Sequence, residues 1–575
     1  MRVGKLELNP RENPAILDTA TWERASAWEI IRTAACDWSL VGRQVAGGEA
    51  VPISNEVQVH PASVATGPSG VWLVASLADG QDVLLGIGRQ EQPGLGDAMI
   101  GLMRLPSGES FAAYPTDAAV LDRFCRWFTP QKGSRDLGAT PRLGVGTRMT
   151  TSVWPGIFEA MRKRGFAANA IQNSVRELNL LENLVAGAPP ETNYSTGIGA
   201  VECGWAGSTY EGLWLAGVLA ALKWDGPLKY GADADHVQVK RGIEGMERAR
   251  RVIRAARYYS FYTLDMADVL DYDALKERSV VTAEAFLDLK IPNAVERRGV
   301  VECHRRPFRL GAETIYLDKA AVGRFVGKYW ETLRMLEDLG GYIAALKEDP
   351  KFDLELTIDE HPPEVAAFDC LTSSEEVLFL AREFQRRGLP VTHLAPNFGQ
   401  EKGCDYRCPD GLDGLERRAR AQHQIASEFG LILDVHSGDD LSSAPRRVFQ
   451  RATGGNVHFK VSPRLQILFA ELLQEFHADL FMRWWQDALV YAQREAANGS
   501  PVAQQCLAEW KASSDPSPSW RHLLFHYFSF PFVGRRDAAG QFLHRHEFYQ
   551  LSSAFYRAYQ QRICDYLCAL ADDLF

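Results

Sequence analysis

One local pattern recurs eight times in this chain: a short apolar or β-branched run that ends in polar residues, in most cases followed by a helical segment. The runs fall at 142–149, 167–175, 228–237, 258–266, 354–361, 391–398, 431–438 and 457–463. Strands this apolar need cover on both faces, and helices packed outside a parallel sheet supply it. Eight such units predict an α/β fold, a (β/α)₈ TIM-type barrel, over residues 136–465. Residues 372–387 show the helical signals at both ends. They open on Thr372, Ser373 and Ser374 with Glu375 and Glu376, carry Val377, Leu380, Ala381 and Phe384 on one face, and stop at Gly388. A second helix, 412–429, stops at Gly430. The stretches 176–227 and 267–353 are too long for single crossover helices and predict insertions. The later one carries a hairpin-like segment, 301–318, and a helix near 320–347.

The flanks read differently. Residues 1–135 mix a helical stretch near 20–35 with a β-like run, 71–88, that turns on Asp79-Gly80, which predicts a small α/β module. A breaker-rich linker, 129–141, follows it. Residues 466–575 read as a helical extension rich in Trp and Phe, including Trp484-Trp485 and His544-x-His546. This tail either supplies the last barrel helix with extra cover or forms a small cap, and its aromatic residues are expected in a core.

In 575 residues, 46% apolar and 24% charged residues are enough for a sizeable core. The 63 basic and 73 acidic residues leave a net charge of −10 with no Lys/Arg run to track phosphates, so nucleic acid is excluded as a partner. No apolar stretch follows a basic start, and nowhere do eighteen uncharged apolar residues run together, which predicts a cytoplasmic protein without a membrane partner. Ten cysteines are sparse for this length, and the two Cys-x₃-Cys pairs, Cys404/Cys408 and Cys564/Cys568, are expected as reduced thiols.

The chemistry is legible in where polar residues fall within the runs. They come last: Gln172, Asn173 and Ser174; Asp233, Asp235 and His236; Thr263 and Asp265; Asp359, Glu360 and His361; Asn397; Asp434, His436 and Ser437; then His458 and Lys460. A strand core rejects unpaired charge, so ionisable groups gathered at C-terminal strand ends point to a shared mouth. Imidazole and carboxylate donors from separate strands suit zinc, manganese, cobalt or nickel, and His236, His436 and His458 are the expected ligands of a divalent metal ion. Glu360 serves either as a fourth ligand or as an acid/base. Every Gly-x-Gly, such as Gly144-Val-Gly146, lacks the third glycine of the dinucleotide fingerprint. Phosphate-loop, Gly-x-Ser-x-Gly and His-Glu-x-x-His strings do not occur, which sets aside kinase, serine-hydrolase and zincin chemistry.

At the same strand ends the sequence resembles the tagaturonate epimerase family, metal-dependent enzymes that interconvert tagaturonate and fructuronate. The matching segments are 165–177, 230–237, 258–265, 356–360, 394–406, 433–442 and 454–461, with Asp-Ala-Asp-His, Glu-Lys-Gly-x-Asp-Tyr and His-Ser-Gly-x-Asp strings in that order. The resemblance implies Asp235 as the proton-abstracting carboxylate, Glu360 as the opposing acid, and His236 and His436 as metal ligands. It implies a sugar acid or ketose as substrate, with contacts from Gln172, Ser174, Asn397, Lys402, Asp405, Ser437, Asp439, Lys460 and Arg464. Lys402, Lys460 and Arg464 are the candidates for the substrate carboxylate. The chain departs from the family pattern at Leu441 and at Ser462-Pro463-Arg464, positions expected to touch substrate. A more distant likeness to class II aldolases suggests retro-aldol-type chemistry beside a proton-transfer route. A metal-dependent aldolase and an inactive carbohydrate-binding barrel are the alternatives.

Overall fold

The computed structural model describes residues 2–575 except 8, 10–13, 17–23, 35, 48–51, 69, 89–94, 96–98, 196–197, 360–366 and 402. Each of the eight apolar runs contains one strand. We label them β1 (Arg142–Gly146), β2 (Ala167–Ser174), β3 (Tyr230–Gln238), β4 (Phe261–Asp265), β5 (Asp353–Thr357), β6 (Val391–Ala395), β7 (Ile432–Val435) and β8 (Val457–Val461). They form one closed parallel barrel in chain order. Closure is made at Arg142, which pairs with Ala167 of β2 on one side and His458 of β8 on the other.

Alternation along each strand sorts the side chains. In β5, Leu354 and Leu356 join the apolar layer under the helices, whereas Asp353 and Glu355 reach Arg142 and Lys460 of other strands inside the barrel. In β8, Val457, Phe459 and Val461 face out and His458 and Lys460 face in.

Eight helices ring the barrel: α1 (Trp154–Arg164), α2 (Tyr210–Lys223), α3 (Gly242–Ala255), α4 (Lys319–Leu346), α5 (Ser374–Arg387), α6 (Gly411–Glu428), α7 (Ser443–Thr453) and α8 (Ser553–Leu574). The start of α5 is fixed by a capping box between Ser373 and Glu376, and its end by Gly388 at φ +65°. The same Glu376 carboxylate accepts hydrogen bonds from Lys328 Nζ and Tyr329 of α4, both at 2.7 Å, so the cap also joins neighbouring helices. The last ring helix, α8, packs against α1 and α7. Of the two arrangements open to the tail, it takes the first: the far C-terminus closes the ring, and the helices between β8 and α8 add cover. Trp484 lies inside that cover, its ring 5.0 Å from Phe525 and 5.4 Å from Phe548. Among the described residues no helix is long and apolar enough to cross a membrane. All ten cysteines lie among the described residues and none is in a disulfide.

The N-terminal residues build a seven-stranded antiparallel sheet around the hairpin Gly70–Leu77/Asp82–Gly88. One face, with Trp72, Leu84 and Tyr114, merges with the main core, and the other, with Leu73, Ala75 and Leu85, packs on helices Arg24–Thr33 and Trp38–Ala46. The insertion before α4 differs from expectation. The hairpin is confined to Phe308–Leu310 and Glu313–Ile315, and the residues ahead of it are the helix Ala294–His304. Asn293 caps that helix by accepting from Val295 and Glu296 backbone amides, and His304 is wholly buried 2.8 Å from Glu383 of α5. The cap and the tertiary contact outweigh the β-like composition.

Two buried ion pairs give stability predictions. Arg142 donates to Asp353 at 2.8 Å across the N-terminal end of the barrel, and Asp353 also accepts from the Leu137 and Gly138 amides. Arg142→Met strands that carboxylate and is expected to cost about 3–5 kcal/mol in urea unfolding. Burial pushes Glu383 up, but hydrogen bonds from His304 and Arg386 outweigh it and bring its pKa to about 2. A carboxyl depressed below its unfolded value of about 4.3 stabilises above that pH and loses the contribution as pH falls toward 2. The stability gap between wild type and Glu383→Gln is therefore expected to be full at pH 7 and to shrink between pH 4.5 and the acid limit of unfolding measurements.

Candidate active site

The barrel interior is polar and layered. Arg142 plugs the bottom, its guanidinium 5.5 Å from the Phe261 ring centroid. Above it, Phe261, His393 and His458 pack edge to face with centroids 4.8–5.4 Å apart. Burial holds both His393 and His458 well below the usual histidine range, so these rings are neutral.

The next layer centres on Lys460. Its ammonium lies 2.8 Å from Glu355, 3.0 Å from Asp235, 3.2 Å from Asp233 and 3.6 Å from Asp434, and donates to the Thr263 hydroxyl at 2.7 Å. Burial opposes its charge, yet the four carboxylates hold its pKa well above that of a free lysine. The cage treats its members unequally. Against the same burial, Lys460 with the neighbouring histidines keeps Asp235 and Glu355 below the ordinary carboxylate range. Burial dominates at the other two, raising Asp233 to about 7 and Asp434 well above its usual value. One barrel thus holds ionised carboxylates beside one carboxyl, Asp434, that keeps its proton at neutral pH and another, Asp233, that titrates there, the separation needed for acid/base work.

His236 and His436 stand at the mouth with ring centroids 4.7 Å apart. Each turns Nδ1 to a carboxylate behind it: His236 to Asp265 at 3.5 Å, His436 to Asp359 at 3.2 Å. Each turns Nε2 inward: His436 to Glu355 at 2.8 Å, His236 toward Asp235 at 3.8 Å. Burial would lower the His436 pKa, but Asp359 and Glu355 raise it well above the ordinary value. Each strand has a left-handed residue that is not glycine near the mouth: His236, at φ +52°, in the bulge of β3 between Ala234 and Val237, and Ser437, at φ +53°, two residues past β7. Such backbone costs about 1–3 kcal/mol and persists where the surroundings over-determine it. Space for these groups comes from β1. A Cβ on Gly144 would meet Gln172 Oε1 at 2.4 Å and Lys460 Cγ at 2.8 Å, and one on Gly146 would meet Ser462 Oγ at 2.2 Å.

Of the residues expected in the site, Asp235, His236, His436, Lys460 and Gln172 meet in or just below this mouth. His458 does not join the histidine pair. It pairs in register with Asp434, two residues before His436, and so sits about 6.6 Å deeper along the strand. There its Nδ1 lies 2.7 Å from Asp434, and Glu355, Asp434 and His458 are the one group of three among the described residues with ligand atoms all within 4.8 Å, close enough to hold a metal ion. Lys460, expected as a partner for a substrate carboxylate, is enclosed by the chain's own carboxylates instead. Asn397 ties down a loop, giving Nδ2 to the Ala367 and Cys370 carbonyls and accepting from the Gly399 amide. Asp405 accepts from the Tyr406 and Ser442 amides. Asp439 caps the helix after β8 through the Ser462 and Arg464 amides and accepts from Tyr566 of α8. Ser174 accepts from the Arg176 amide at 3.4 Å, and the Ser437 carbonyl accepts from Gln400. Arg464 lies 6.0 Å from the Trp520 ring centroid. Leu441 is buried. Glu360 and Lys402 lie outside the described residues. Glu355 was missed because it sits mid-strand; the signal for it is a charged residue between Leu354 and Leu356, on the inward phase of β5.

A parallel barrel whose catalytic-type residues gather at the C-terminal strand ends defines the class: a TIM-barrel enzyme. A family model described as UxaE, tagaturonate epimerase, matches residues 207–497, just over half of the chain, and the chain belongs to that family. It is therefore an epimerase, an isomerase acting on carbohydrates. Solved structures agree in fold. The native crystal structure of fructuronate-tagaturonate epimerase UxaE from Cohnella laeviribosi superposes with a TM-score of 0.63 at 20% identity, covering 94% of this chain and 99% of that one. A one-glycerol complex of the same enzyme gives 0.60 at 22%, covering 93% and 97%. A search of curated proteins finds no match.

Lys460 is predicted to be indispensable. Lys460→Met leaves four carboxylates without their shared ammonium, and at least a hundredfold loss of turnover with about 3–5 kcal/mol of lost stability is expected, read by activity assay and thermal unfolding.

Proposed function

We propose that the protein interconverts tagaturonate and fructuronate with a divalent metal held at the mouth by His236 and His436, with Glu355 as the carboxylate donor. The observation that carries this reading is the orientation of the two imidazoles. Each has a carboxylate on its Nδ1 side, 3.5 Å away for His236 and 3.2 Å for His436, and Nε2 turned inward, so the outer carboxylates sit where they would fix the tautomer of metal-binding histidines. The charge balance supports it too. Lys460 is the one lysine or arginine paired with Asp233, Asp235, Glu355 and Asp434 among the described residues. Their remaining charge is otherwise met by protons on Asp233, Asp434 and His436. The deeper Glu355–Asp434–His458 group is the weaker choice, because its three side chains are wholly buried and leave no open position for substrate.

A bound divalent ion supplies Lewis-acid stabilisation of negative charge on the substrate's keto and hydroxyl oxygens. The rest is the chain's own work. Asp235, held ionised by Lys460, accepts the proton of the substrate hydroxyl. Lys460 keeps that carboxylate aimed at the mouth. Cleavage and reclosure of the neighbouring C–C bond after rotation of the aldehyde fragment inverts the centre, and the resemblance assigns the opposing acid to Glu360. A carboxylate on each side suits epimerisation, since each serves as base for one stereoisomer and acid for the other.

Purified protein loaded with Mn²⁺ or Ni²⁺ is expected to convert tagaturonate to fructuronate by NMR without releasing three-carbon fragments. Free fragments would make it an aldolase, and no conversion would overturn the reading. Elemental analysis is expected to show metal in wild type and at least tenfold less in His236→Ala and His436→Ala. Asp235→Asn should keep its metal and lose about 10²–10⁴ in kcat.

A further inference from the structure

The mouth poses an electrostatic problem for an anionic substrate. Asp235, Asp265, Glu355 and Asp359 surround the two histidines, and Lys460 is spent on the carboxylates below. A substrate carboxylate must be held away from that cluster and by a cation that is not already enclosed.

Two arginines stand on the rim beside β2. Arg176 points an Nη at Asp265, 3.9 Å away, on the His236 side. Arg148, two residues past β1, is built differently. Its Nε donates to Ser462 Oγ at 2.9 Å and lies 3.0 Å from Glu177 Oε1, so both contacts fall on the same nitrogen. Glu177 is fixed in turn, its other oxygen accepting from Asn173 of β2 at 2.5 Å. Ser462 occupies the space that a side chain on Gly146 would need. A side chain clamped at Nε and still 18% exposed presents its two terminal amino groups as a fork, the geometry that binds a carboxylate through two parallel hydrogen bonds.

We propose that Arg148 is the specificity-determining anchor for the carboxylate of a sugar-acid substrate, positioned at the rim by Glu177 and Ser462. The proposal rests on the sugar-acid reading above and adds which residue makes the substrate an acid rather than a neutral ketose. It also gives Ser462, one of the departures from the family pattern, a place in substrate choice: Ser462 sets the angle of the anchor.

The test uses the metal-loaded enzyme and two probes of equal length, the aldonate galactonate and the neutral alditol galactitol, with Arg148→Gln, Arg148→Lys and wild type. Wild type is expected to bind galactonate at least about tenfold more tightly than galactitol. Arg148→Gln should erase that preference while leaving galactitol affinity and thermal midpoint near wild type, and raise KM for the keto-uronate more than it lowers kcat. Arg148→Lys should restore part of the preference, and it carries the test if the Gln variant does not fold. Retention of the aldonate preference in Arg148→Gln, or equal loss of both probes, overturns the anchor. If wild type prefers galactonate through Arg148 but converts no keto-uronate, the anchor stands and the epimerase substrate falls.

Discussion

A single ammonium inside the barrel sets the terms for everything above it. Without Lys460, Asp233, Asp235, Glu355 and Asp434 would be four carboxylates within reach of one another in a medium where each unpaired charge costs several kcal/mol. With it, Asp235 and Glu355 stay ionised while Asp434 keeps its proton and Asp233 titrates near neutrality. That division leaves an ionised carboxylate at a strand end while the barrel still closes. Arg142 does the equivalent work at the bottom for Asp353. The neutral aromatic layer of Phe261, His393 and His458 separates the two cations, so neither dilutes the other's hold on its carboxylates. The interior is a stack of compensated charges, and the catalytic mouth is its uppermost, least compensated layer.

The barrel was legible in the sequence because strands covered on both faces announce themselves as apolar runs, and because the polar residues closing those runs share one end of the fold. Asp235, His236 and His436 were legible for that reason. The rest was hidden by geometry that one dimension does not carry. Lys460 lies near the end of a run and reads as a partner for a substrate carboxylate; only the barrel's closure shows it surrounded by the chain's own carboxylates. Glu355 stands in mid-strand, where its charge looks like an exception until Lys460 and His436 are found opposite. His458 reads as a mouth residue although the register sets it one layer lower. The ring's final helix could not be assigned from order alone, because α8 returns from the far end of the chain to fit between α7 and α1.

Gly144 and Gly146 show how little of a site is made by the residues that do its chemistry. They sit on the inward phase of β1, and their missing side chains are the room taken by Gln172, Lys460 and Ser462. A Cβ at either position would drive those groups toward the mouth. The Gly-x-Gly spacing that carries no nucleotide signal here has a packing cause: two inward positions of one strand left vacant so that a lysine from the next strand can reach the barrel axis.

The strained backbone in the bulge of β3 and just past β7 follows from the same economy. His236 and Ser437 adopt left-handed backbone that glycine would take freely. His236 keeps an imidazole there all the same, facing Asp265 at 3.5 Å and Asp235 at 3.8 Å. At Ser437 the strained turn follows directly on His436 and directs the chain into the short helix ending at Asp440. Asp439 of that helix then caps the helix after β8, where Ser462 holds Arg148. The strain that aims one histidine is thus continuous with the segment that positions the rim. A substrate spanning both would have its reacting carbon and its charged end placed by one stretch of backbone, which ties the chemistry and the choice of substrate to the same turn.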